Sequence, residues 1–426
     1  MKYDYDIVVV GGGPSGMMAA GRAGQLGCRV LLIEKNKEMG IKLLMTGKER
    51  CNVTHYSENP NDLIEFYGKN GRFLYSGFAN FSNLDVIDFF EKRGVKMKIE
   101  RGARVFPASD KSMDIRKVLL DFLEEGNVKI LKGKTVKDVI KNSQKEFIES
   151  IILLTGEKIN AKRYIIATGG LSYPATGATG DGYRWAKKLG HNIVSPYPAL
   201  SPIRLKDKFV SNLEGLTIKN VRIDVFKNEG KSCEKKVISR FGEAVFTKQG
   251  ISGPIILDMS KKIGELLRKN GKGATLRLRI DFKPAMSFEK LDKRIQRDFQ
   301  KGNNKQFKNI LNKLLPKKII PVLIKLSEIN PDKRVNLITK EERKKLTRLL
   351  KEFPLTIKEV VGFGKAIITT GGIDVTEVNS KTMQSRLVDN LFFTGEVLDL
   401  DGPTGGYNLQ VCWSTGWTAG SSSAYF

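Results

Sequence analysis

Histidine and cysteine are scarce in this chain of 426 residues. The sequence has two histidines and four cysteines, which are His55, His191, Cys28, Cys51, Cys233 and Cys412. Two histidines exclude a histidine-rich metal site, and the cysteines show neither CxxC pairing nor clustered spacing. We therefore expect no metal site and no disulfide framework, and a reducing cytosol is the natural compartment.

Long apolar runs are also missing. No stretch reaches the roughly 18 apolar residues that suggest a transmembrane helix. From Met1 the chain runs directly into an apolar, strand-like segment, without the basic and apolar regions of a signal peptide. We expect a cytoplasmic protein that does not insert into a membrane.

Acidic residues are few relative to basic ones. The chain has 73 Lys and Arg against 46 Asp and Glu, a net charge of +27. Between Lys283 and Glu352 there are 20 Lys and Arg against 8 Asp and Glu. Such a balance could indicate nucleic-acid or anionic-surface binding. We favour solvated, Lys-rich helix faces, because no aromatic residues are interleaved for base stacking, and nucleic-acid binding is not expected.

The first forty residues contain a glycine-rich turn between a strand and a helix. Tyr5 to Val10 is an apolar run typical of a buried parallel strand, Gly11 to Gly16 follows, and Met17 to Leu26 has helical spacing. In such a unit the first glycine forms the tight turn, the second (Gly13) admits a pyrophosphate, and Gly16 allows close packing. The pattern predicts dinucleotide binding; the alternative is a glycine-rich turn without a ligand.

Three further segments are placed to contact a dinucleotide. Glu34 ends the second apolar run, 23 residues after Gly11, where a carboxylate accepts hydrogen bonds from ribose hydroxyls. Residues 41–54 are too irregular for a regular element and are predicted to be a loop beside the cofactor. A strand over Tyr164 to Ala167 ends in Thr168-Gly169-Gly170, which suits close approach of the backbone to a ligand. Val136 is either an adenine contact or plain strand core.

The middle of the chain has a different pattern. Alternating apolar and polar residues over 217–226 and 275–282 predict antiparallel strands, and apolar helical spacing follows. Strand and helix patterns typical of the first part return after Pro354. At this length two or three domains are expected, so a cofactor fold interrupted by a β part and a helical part is the best account.

Several motifs together resemble one family. They are Gly11 to Gly16, the Lys42 to Thr54 loop with Arg50-Cys51-Asn52, Thr176 to Gly182, Phe246-Thr247 with Gly250 to Pro254, and Gly395 to Gln410. In this order they resemble the bacterial FAD-dependent oxidoreductases called BaiN-like or aminoacetone-oxidase-like, over essentially the whole chain. Two positions depart from the family: Glu49 stands where glycine is usual, and Lys248 stands where histidine is usual.

The resemblance implies a fold and a cofactor. The fold class is α/β, a Rossmann-like FAD domain of the two-dinucleotide-binding type interrupted by an inserted antiparallel β-barrel and a small helical domain. The expected boundaries are 1–195 and 354–426 for the FAD domain, 196–283 for the barrel and 284–353 for the helices. FAD is expected to be bound without a covalent bond. The residues expected to hold it are Gly11, Gly13, Pro14, Ser15, Gly16, Glu34, Lys35, Lys42, Cys51, Asn52, Val136, Thr168, Gly169, Gly395, Glu396, Gly406, Asn408 and Leu409.

Side chains near the flavin have alternative roles. Glu396 either serves the ribityl or pyrophosphate region or is an ordinary turn carboxylate. Cys51 is either a redox thiol or, as we favour, a packed or flavin-adjacent one. Arg50 either holds an anionic or carbonyl-bearing substrate or braces its loop. The helix that begins near Asn408 is expected to direct N–H groups at the flavin.

No second strand–GxGxxG–helix unit is present for a nicotinamide. NAD(P)H is therefore expected as a transient donor, and the most favoured activity is reduction of an activated double bond of a small organic substrate. The alternatives are an oxygen-dependent amine oxidase of the aminoacetone type, and an RNA-associated or non-catalytic flavoprotein. The sequence predicts neither the substrate nor the oligomeric state.

Overall fold

The structure, a computed structural model, describes residues 3–142, 146–228, 234–269 and 276–425. Cys233 and Thr275, the predicted start of one strand, lie outside these ranges. The chain divides into two compact units. The discontinuous unit comprises Met1–Pro198 and Phe363–Phe426, and the inserted unit comprises Ala199–Gly362.

The strands are β1 Tyr5–Val10, β2 Val30–Glu34, β3 Thr54–His55, β4 Met97–Glu100, β5 Arg104–Pro107, β6 Lys129–Lys132, β7 Val136–Lys141, β8 Ile148–Leu153, β9 Lys158–Ile159, β10 Ala161–Ile166, β11 Ile193–Ala199, β12 Ile203–Leu205, β13 Thr217–Asn228, β14 Glu234–Thr247, β15 Gly250–Ser252, β16 Leu276–Asp281, β17 Phe353–Val360, β18 Ile368–Ile373 and β19 Leu391–Phe393.

The α-helices are α1 Pro14–Gln25, α2 Ile41–Leu44, α3 Tyr75–Asn80, α4 Asn83–Glu91, α5 Ser112–Glu125, α6 Asp181–Lys188, α7 Pro254–Lys269, α8 Phe288–Lys301, α9 Phe307–Ile310, α10 Ile320–Ser327, α11 Lys340–Lys351 and α12 Tyr407–Tyr425. Short 3₁₀ segments cover Pro60–Leu74, Pro174–Thr176, Lys208–Leu213, Leu311–Lys313, Lys317–Ile319, Val335–Leu337, Val375–Glu377 and Gly395–Val397. No helix within the described ranges is long and apolar enough to cross a membrane.

A parallel sheet organises the discontinuous unit. Its strands lie in the order β19-β10-β1-β2-β6, with β1 hydrogen-bonded to β10 on one side and to β2 on the other. Ile7, Val8 and Val9 of β1 are fully buried, as the continuous apolar run predicts. Because all these strands are parallel, their carboxyl ends share one edge, where an open α/β sheet binds its ligand. The predicted Rossmann-like fold is confirmed.

A closed barrel forms the core of the inserted unit, with strands in the order β12-β15-β14-β13-β16-β17. The barrel closes because β17 pairs with both β16 and β12. In this respect the structure differs from the predicted boundary at residue 354. Leu355 and Ile357 of β17 point inward and are buried, so the segment that follows α11 completes the barrel before the chain returns to the discontinuous unit.

The helices α8 to α11 belong to the same compact unit as the barrel. A buried ion pair between Lys351 and Asp281 joins the end of α11 to the end of β16, with Nζ 2.6 Å from Oδ2. Whether barrel and helices are separate folding domains, as the predicted boundaries imply, stays a prediction.

The segment predicted as a loop over residues 41–54 contains regular structure, and that prediction was wrong in part. One helical turn, α2, begins it, and β3 ends it by pairing with β5. The turn forms because Leu43 is buried in the core, with 1% of its surface exposed, and draws the backbone inward. Between these elements Lys48, Glu49 and Cys51 have positive φ angles of 59°, 66° and 60°.

Candidate FAD site

The glycine turn between β1 and α1 has the close contacts that require glycine. Gly11 has a φ of +113°, and a Cβ atom there would lie 2.4 Å from the carbonyl oxygen of Ala167. A Cβ atom on Gly16 would lie 1.9 Å from the carbonyl oxygen of Gly11. Around Gly13, by contrast, no atom of the described residues other than Gly13 and its two chain neighbours lies within 4 Å of such a Cβ. The turn is therefore packed tightly at its ends and open at Gly13, where the predicted pyrophosphate would lie.

The first turn of α1 is free to bind an anion. Gly13 is the N-cap and provides no side-chain cap, and Pro14 follows at the first helical position. The first N–H groups of a helix have no intrahelical partner, and the helix dipole adds positive potential there. Ser15 packs against Gly395 in the C-terminal part of the chain. The contact is so close that a Cβ atom on Gly395 would lie 2.4 Å from Ser15 Oγ. The turn thus fits a phosphate group.

Glu34 is fixed beside this turn by backbone hydrogen bonds. Its Oε2 accepts from the Gly12 N–H at 2.7 Å, and its Oε1 accepts from the N–H and Nδ2 of Asn36 at 2.8 Å each. A carboxylate offers about four acceptor positions, so one on Oε2 stays available to a ribose hydroxyl. Backbone bonds from Lys134 N–H to Glu34 O and from Gly133 N–H to Asn36 O bring the start of β7 to the same edge.

The side chains of Val136 and Lys35 are engaged within the protein, and a cofactor role for either residue stays a prediction. Val136 is 4% exposed and pairs with Leu153 in β7–β8, so its side chain is strand core and only its backbone can face a ligand. Lys35 Nζ donates to Thr179 Oγ1 and to Asp181 Oδ2, at 2.5 and 2.8 Å. Burial raises the pKa of Asp181, but hydrogen bonds from Lys35 and Thr179 outweigh it and hold that pKa below its usual range.

Thr168 and Gly169 follow β10 at the carboxyl edge of the sheet. Gly169 has a φ of +70° and turns the backbone out of the strand. The Oγ1 of Thr168 is buried and has no hydrogen-bond partner among the described residues. It faces the first turn of α6, where a Cβ on Gly182 would lie 2.3 Å away. A buried hydroxyl without a partner is uncommon in proteins and fits a site that is completed by a ligand.

Lys42 and Glu396 form an ion pair that joins two predicted cofactor segments. Lys42 Nζ lies 2.7 Å from Glu396 Oε2, and their side chains are 23% and 17% exposed. The other carboxylate oxygen of Glu396 accepts from the Thr369 N–H at 2.8 Å. The negative charge of Glu396, which follows β19, is therefore balanced by Lys42.

The Asn52 side chain connects the loop after α2 to the turn before α12. With its amide oriented so that nitrogen faces the carbonyls, Asn52 donates to Val105 and Thr54 oxygens, at 3.2 and 3.1 Å, and accepts from the Gly406 N–H at 3.1 Å. Gly406 must be glycine, because its φ is +101° and a Cβ would lie 2.3 Å from the Thr54 carbonyl carbon.

Asn408 and Leu409 stabilise the start of α12 rather than presenting free side chains. Asn408 Oδ1 accepts from the Gly402 N–H at 2.9 Å, and its Nδ2 donates to the Gly402 and Pro403 oxygens. Leu409 packs, partly buried, on the core. The N–H groups of the first turn of α12 remain as the groups that could face a ligand.

Cys51 is a packed thiol. It is fully buried, and burial raises its pKa to about 12 despite a hydrogen bond with Thr46. A thiol with this pKa is protonated at neutral pH, whereas redox and nucleophilic chemistry need the thiolate. The contacts favour the packing alternative over a redox role.

Arg50 is surrounded by carboxylates. Its guanidinium hydrogen-bonds with Glu100 and, at 2.6 Å, with Asp110, and it lies 4.1 Å above the ring of Phe106. The Glu100 hydrogen bond is the main cause of a raised Arg50 pKa. These are the contacts of a residue that braces its loop, and they engage two of the three guanidinium nitrogens, Nε and Nη2.

Sequence reasoning missed an aromatic cluster beside the turn before α12. His55 stacks on Tyr407, with 4.5 Å between ring centroids, and Phe66 lies 4.9 Å from the Tyr407 ring. His55 Nδ1 lies 3.2 Å from the Gly405 carbonyl oxygen, so Nδ1 carries the hydrogen and Nε2 is an acceptor. Burial lowers the His55 pKa, and its hydrogen bond to Gly405 opposes this only in part. The signal in the sequence was His55 itself, which stands three residues after the Arg50-Cys51-Asn52 motif.

The structure thus gathers most of the predicted residues into two groups within the discontinuous unit. Around the carboxyl ends of β1, β2 and β10 lie the glycine turn, Glu34 and Thr168. Around the start of α12 lie Asn52, His55 and Gly406, and the Lys42–Glu396 pair connects α2 to the end of β19. The anion-binding turn and the available ribose acceptor fit a dinucleotide.

Comparisons with known proteins show the family of this chain. The family described as HI0933-like protein Rossmann domain matches residues 5–422. The chain is 31% identical over 420 residues to the 3-dehydro-bile acid delta(4,6)-reductase of Clostridium scindens, with 98% of each chain covered. It is 30% identical over 415 residues to the ribosomal RNA dihydrouridine synthase of Escherichia coli, with 97% of this chain and 96% of the relative covered.

A solved structure shows the same fold. The 3-ketosteroid delta1-dehydrogenase of Sterolibacterium denitrificans superposes with a TM-score of 0.52 at 13% identity, with 99% of each chain covered. This distant likeness shows the fold alone. The family is shown by the match of the family model over residues 5–422. The chain belongs to the HI0933-like family of FAD-dependent Rossmann-fold oxidoreductases.

Proposed function

We propose that this protein reduces a carbon–carbon double bond conjugated to a carbonyl group, with FAD as the bound cofactor and NAD(P)H as a transient donor. One observation carries the proposal. Two relatives that match over nearly the full length are named for such reductions, one of a bile acid and one of uridine in ribosomal RNA. Both names describe saturation of a double bond next to a carbonyl, so the reaction type is shared although the substrates differ.

The residues of the glycine turn and Glu34 would hold the cofactor. Gly13 leaves space for the pyrophosphate at the start of α1, and Glu34 keeps one acceptor position for the ribose. FAD, when bound, supplies hydride transfer. The N–H groups at the start of α12 would stabilise negative charge on the flavin ring, as the resemblance implies.

His55 is the side chain best suited to orient the substrate near the start of α12. Burial lowers the pKa of His55 and so favours its neutral form, in which Nδ1 bonds the Gly405 oxygen and Nε2 is a hydrogen-bond acceptor. Such an acceptor would hold an N–H or O–H group of the substrate. Arg50 is not assigned this role, since its guanidinium is already paired with Glu100 and Asp110.

Anaerobic mixing of the FAD-loaded protein with NADH or NADPH tests the proposed donor. We expect the flavin absorbance band to bleach and then to return when an α,β-unsaturated carbonyl compound is added. Bleaching by aminoacetone, with hydrogen peroxide formed in air, would instead support the amine oxidase. No bleaching by any donor would support a non-catalytic flavoprotein.

A uracil ring in RNA is a second candidate substrate, favoured by the distribution of charge. Residues 199–362 contain 39 Lys and Arg against 18 Asp and Glu, a net +21 of the total +27. The sequence pattern alone favoured solvated helix faces, but concentration of the charge in one unit suits a polyanion. Incubation with NADH and ribosomal RNA, followed by mass spectrometry, should detect uridines that have gained two hydrogens. Activity on a steroid dienone but not on RNA would reject this candidate.

A further inference from the structure

Helix α8 presents a basic face to a groove on the inserted unit. The groove has a volume of about 690 Å³ and is lined by Met286, Lys290, Lys293, Gln296, Arg297 and Gln300, among others. Lys290, Lys293 and Arg297 are spaced three and four residues apart, so they share one face of the helix. The opposite face, with Leu291, Ile295 and Phe299, is buried. The three cations are therefore presented together to solvent.

The acidic residues of α8 do not neutralise this face. Asp292 pairs with Arg343 at 2.9 Å, and Asp298 pairs with Arg294 at 3.8 Å. Glu289 hydrogen-bonds with Ser287 at the start of the helix, and Lys293 acts on it only through longer-range attraction. Within the described ranges, no carboxylate lies within 4.0 Å of the charged nitrogens of Lys290, Lys293 or Arg297. The charges are available to an external anion.

The groove is held in shape by a buried charge. Lys351 Nζ donates to the carbonyl oxygens of Met286 and Lys283, at 2.6 and 3.1 Å, and forms an ion pair with Asp281. Lys351 and Asp281 are 7% and 2% exposed. These contacts fix the turn that precedes α8, and therefore the position at which the helix with the three cations begins.

We propose that this groove binds the sugar–phosphate backbone of an RNA strand; this rests on the RNA candidate of the proposed function. Three cations beside the amide of Gln300 suit phosphate and sugar oxygens, which receive most protein contacts to nucleic-acid backbones. The second amide, Gln296, already donates to Asp292 Oδ2 at 2.7 Å. Phe288, at the start of the same helix, has an exposed ring that offers a stacking surface for a base, contrary to the expectation that no aromatic residue is interleaved with these cations. RNA is favoured over an anionic membrane because a relative that matches over nearly the full length is named for acting on ribosomal RNA.

The experiment compares two triple variants of the FAD-loaded protein. The groove variant is Lys290→Gln, Lys293→Gln and Arg297→Gln. The control is Lys313→Gln, Lys317→Gln and Lys325→Gln, which removes three exposed charges from the helices of the same unit. Affinity for a labelled single-stranded RNA is measured between about 50 and 200 mM salt. Binding to vesicles that contain phosphatidylserine and reduction of the flavin by NADH are measured in parallel.

The groove variant should bind RNA more weakly than the control, with a smaller dependence on salt. Each phosphate contact on a single strand contributes about 0.7 to the slope of log affinity against log salt, so three contacts contribute about 2. When salt rises fourfold, the affinity of the control should therefore fall by a factor roughly 18 times larger than the factor by which the affinity of the groove variant falls. The proposal would be overturned if the groove substitutions left the salt slope of RNA affinity unchanged, or if both variants lost RNA affinity equally. It would also be overturned if the groove variant lost vesicle binding but kept RNA binding.

Flavin reduction separates the failure of this inference from that of the proposed function. The groove variant should keep the flavin reduction rate of the unmodified protein, because the groove residues lie outside the FAD site. If the unmodified protein binds RNA through the groove but no donor reduces its flavin, the proposed reaction fails while the groove assignment stands.

Discussion

Lys42 and Glu396, which are 354 positions apart in the sequence, form an ion pair of 2.7 Å that ties α2 to the end of β19. Thr369 N–H bonds the same carboxylate, so Glu396 organises three chain segments. Glu396→Gln keeps the shape but leaves Lys42 without its counter-charge. We expect a loss of about 1 kcal/mol in unfolding free energy, a modest value because both side chains are partly exposed. Urea unfolding measures it.

A matched control for that variant is Lys92→Gln. Lys92 pairs with Asp88 at 2.7 Å, but both side chains are more than half exposed. Its loss should change stability by no more than a few tenths of a kcal/mol. Equal effects of the two substitutions would show that the Lys42–Glu396 pair has no special structural role.

Gly13→Val should abolish FAD binding without unfolding the protein. Gly13 has a φ of −80°, which valine tolerates, and open space surrounds the position of its Cβ. The new side chain would occupy the space of the pyrophosphate. We expect FAD affinity to fall at least about tenfold, or 1.4 kcal/mol. Flavin absorbance per protein, with circular dichroism as a check of folding, measures the result.

Gly16→Val provides the contrast. Its Cβ would lie 1.9 Å from the Gly11 carbonyl oxygen, so this substitution should disrupt the fold itself. A folded Gly13→Val protein with full flavin occupancy would show that the phosphate lies elsewhere.

Glu49→Gly should stabilise the protein. Glu49 has a φ of +66°, a left-handed conformation that costs a non-glycine residue about 1–2 kcal/mol. Glycine removes this strain but gives the unfolded chain more freedom, so the expected net gain is about 0.5–1 kcal/mol. Thermal and urea unfolding measure it, with Glu38→Gly as the control, since Glu38 is exposed and has an ordinary φ. A less stable Glu49→Gly protein would contradict the strain argument.

Arg50→Lys should weaken the loop without changing substrate affinity. Lysine cannot form the planar contacts with Glu100 and Asp110 or the stacking on Phe106. We expect a lower melting temperature and faster loss of FAD, with KM and with kcat per bound flavin unchanged. A raised KM at full flavin occupancy would return Arg50 to the substrate site.

Stability should fall below pH 6.5 because of His191. This side chain is buried between Glu377 and Ser385, and burial lowers its pKa from the usual 6.5, although Glu377 opposes the effect. Below pH 6.5 the unfolded chain therefore binds a proton at His191 more readily than the folded chain does. The stability that is present above pH 6.5 is lost as the pH falls toward the pKa of His191 in the folded chain. His55 contributes with the same sign.

His191→Gln measures this contribution. Glutamine can still hydrogen-bond with Glu377 and Ser385 but does not titrate. The decline in unfolding free energy between pH 7.5 and 5.5 should be smaller in the variant. An identical decline in both proteins would assign the effect to other groups.

Local sequence patterns predicted the strands and the glycine turn because these depend on neighbouring residues. The tight turn at Gly11 and the close packing at Gly16 follow from the spacing of the glycines. The partners of Lys35 and Arg50 could not be predicted from spacing, because Asp181 and Glu100 are distant from them in the sequence. Tertiary packing decides whether such a cation meets a ligand or forms an ion pair. His55 was missed for the same reason, because its significance depends on Tyr407, more than 350 positions later.

The closure of the barrel by β12 and β17 has a consequence for the history of the chain. The two ends of the inserted unit lie side by side, since Ile203 pairs with Val360 and the Val361 N–H bonds the Pro202 oxygen at 2.9 Å. On the other side of the junction, β11 pairs with β18. A segment whose ends meet in this way can be gained, lost or exchanged as a cassette, because a short linker could replace all 164 intervening positions. The glycine turn lies outside this segment, so its backbone and sequence would stay unchanged by such an exchange.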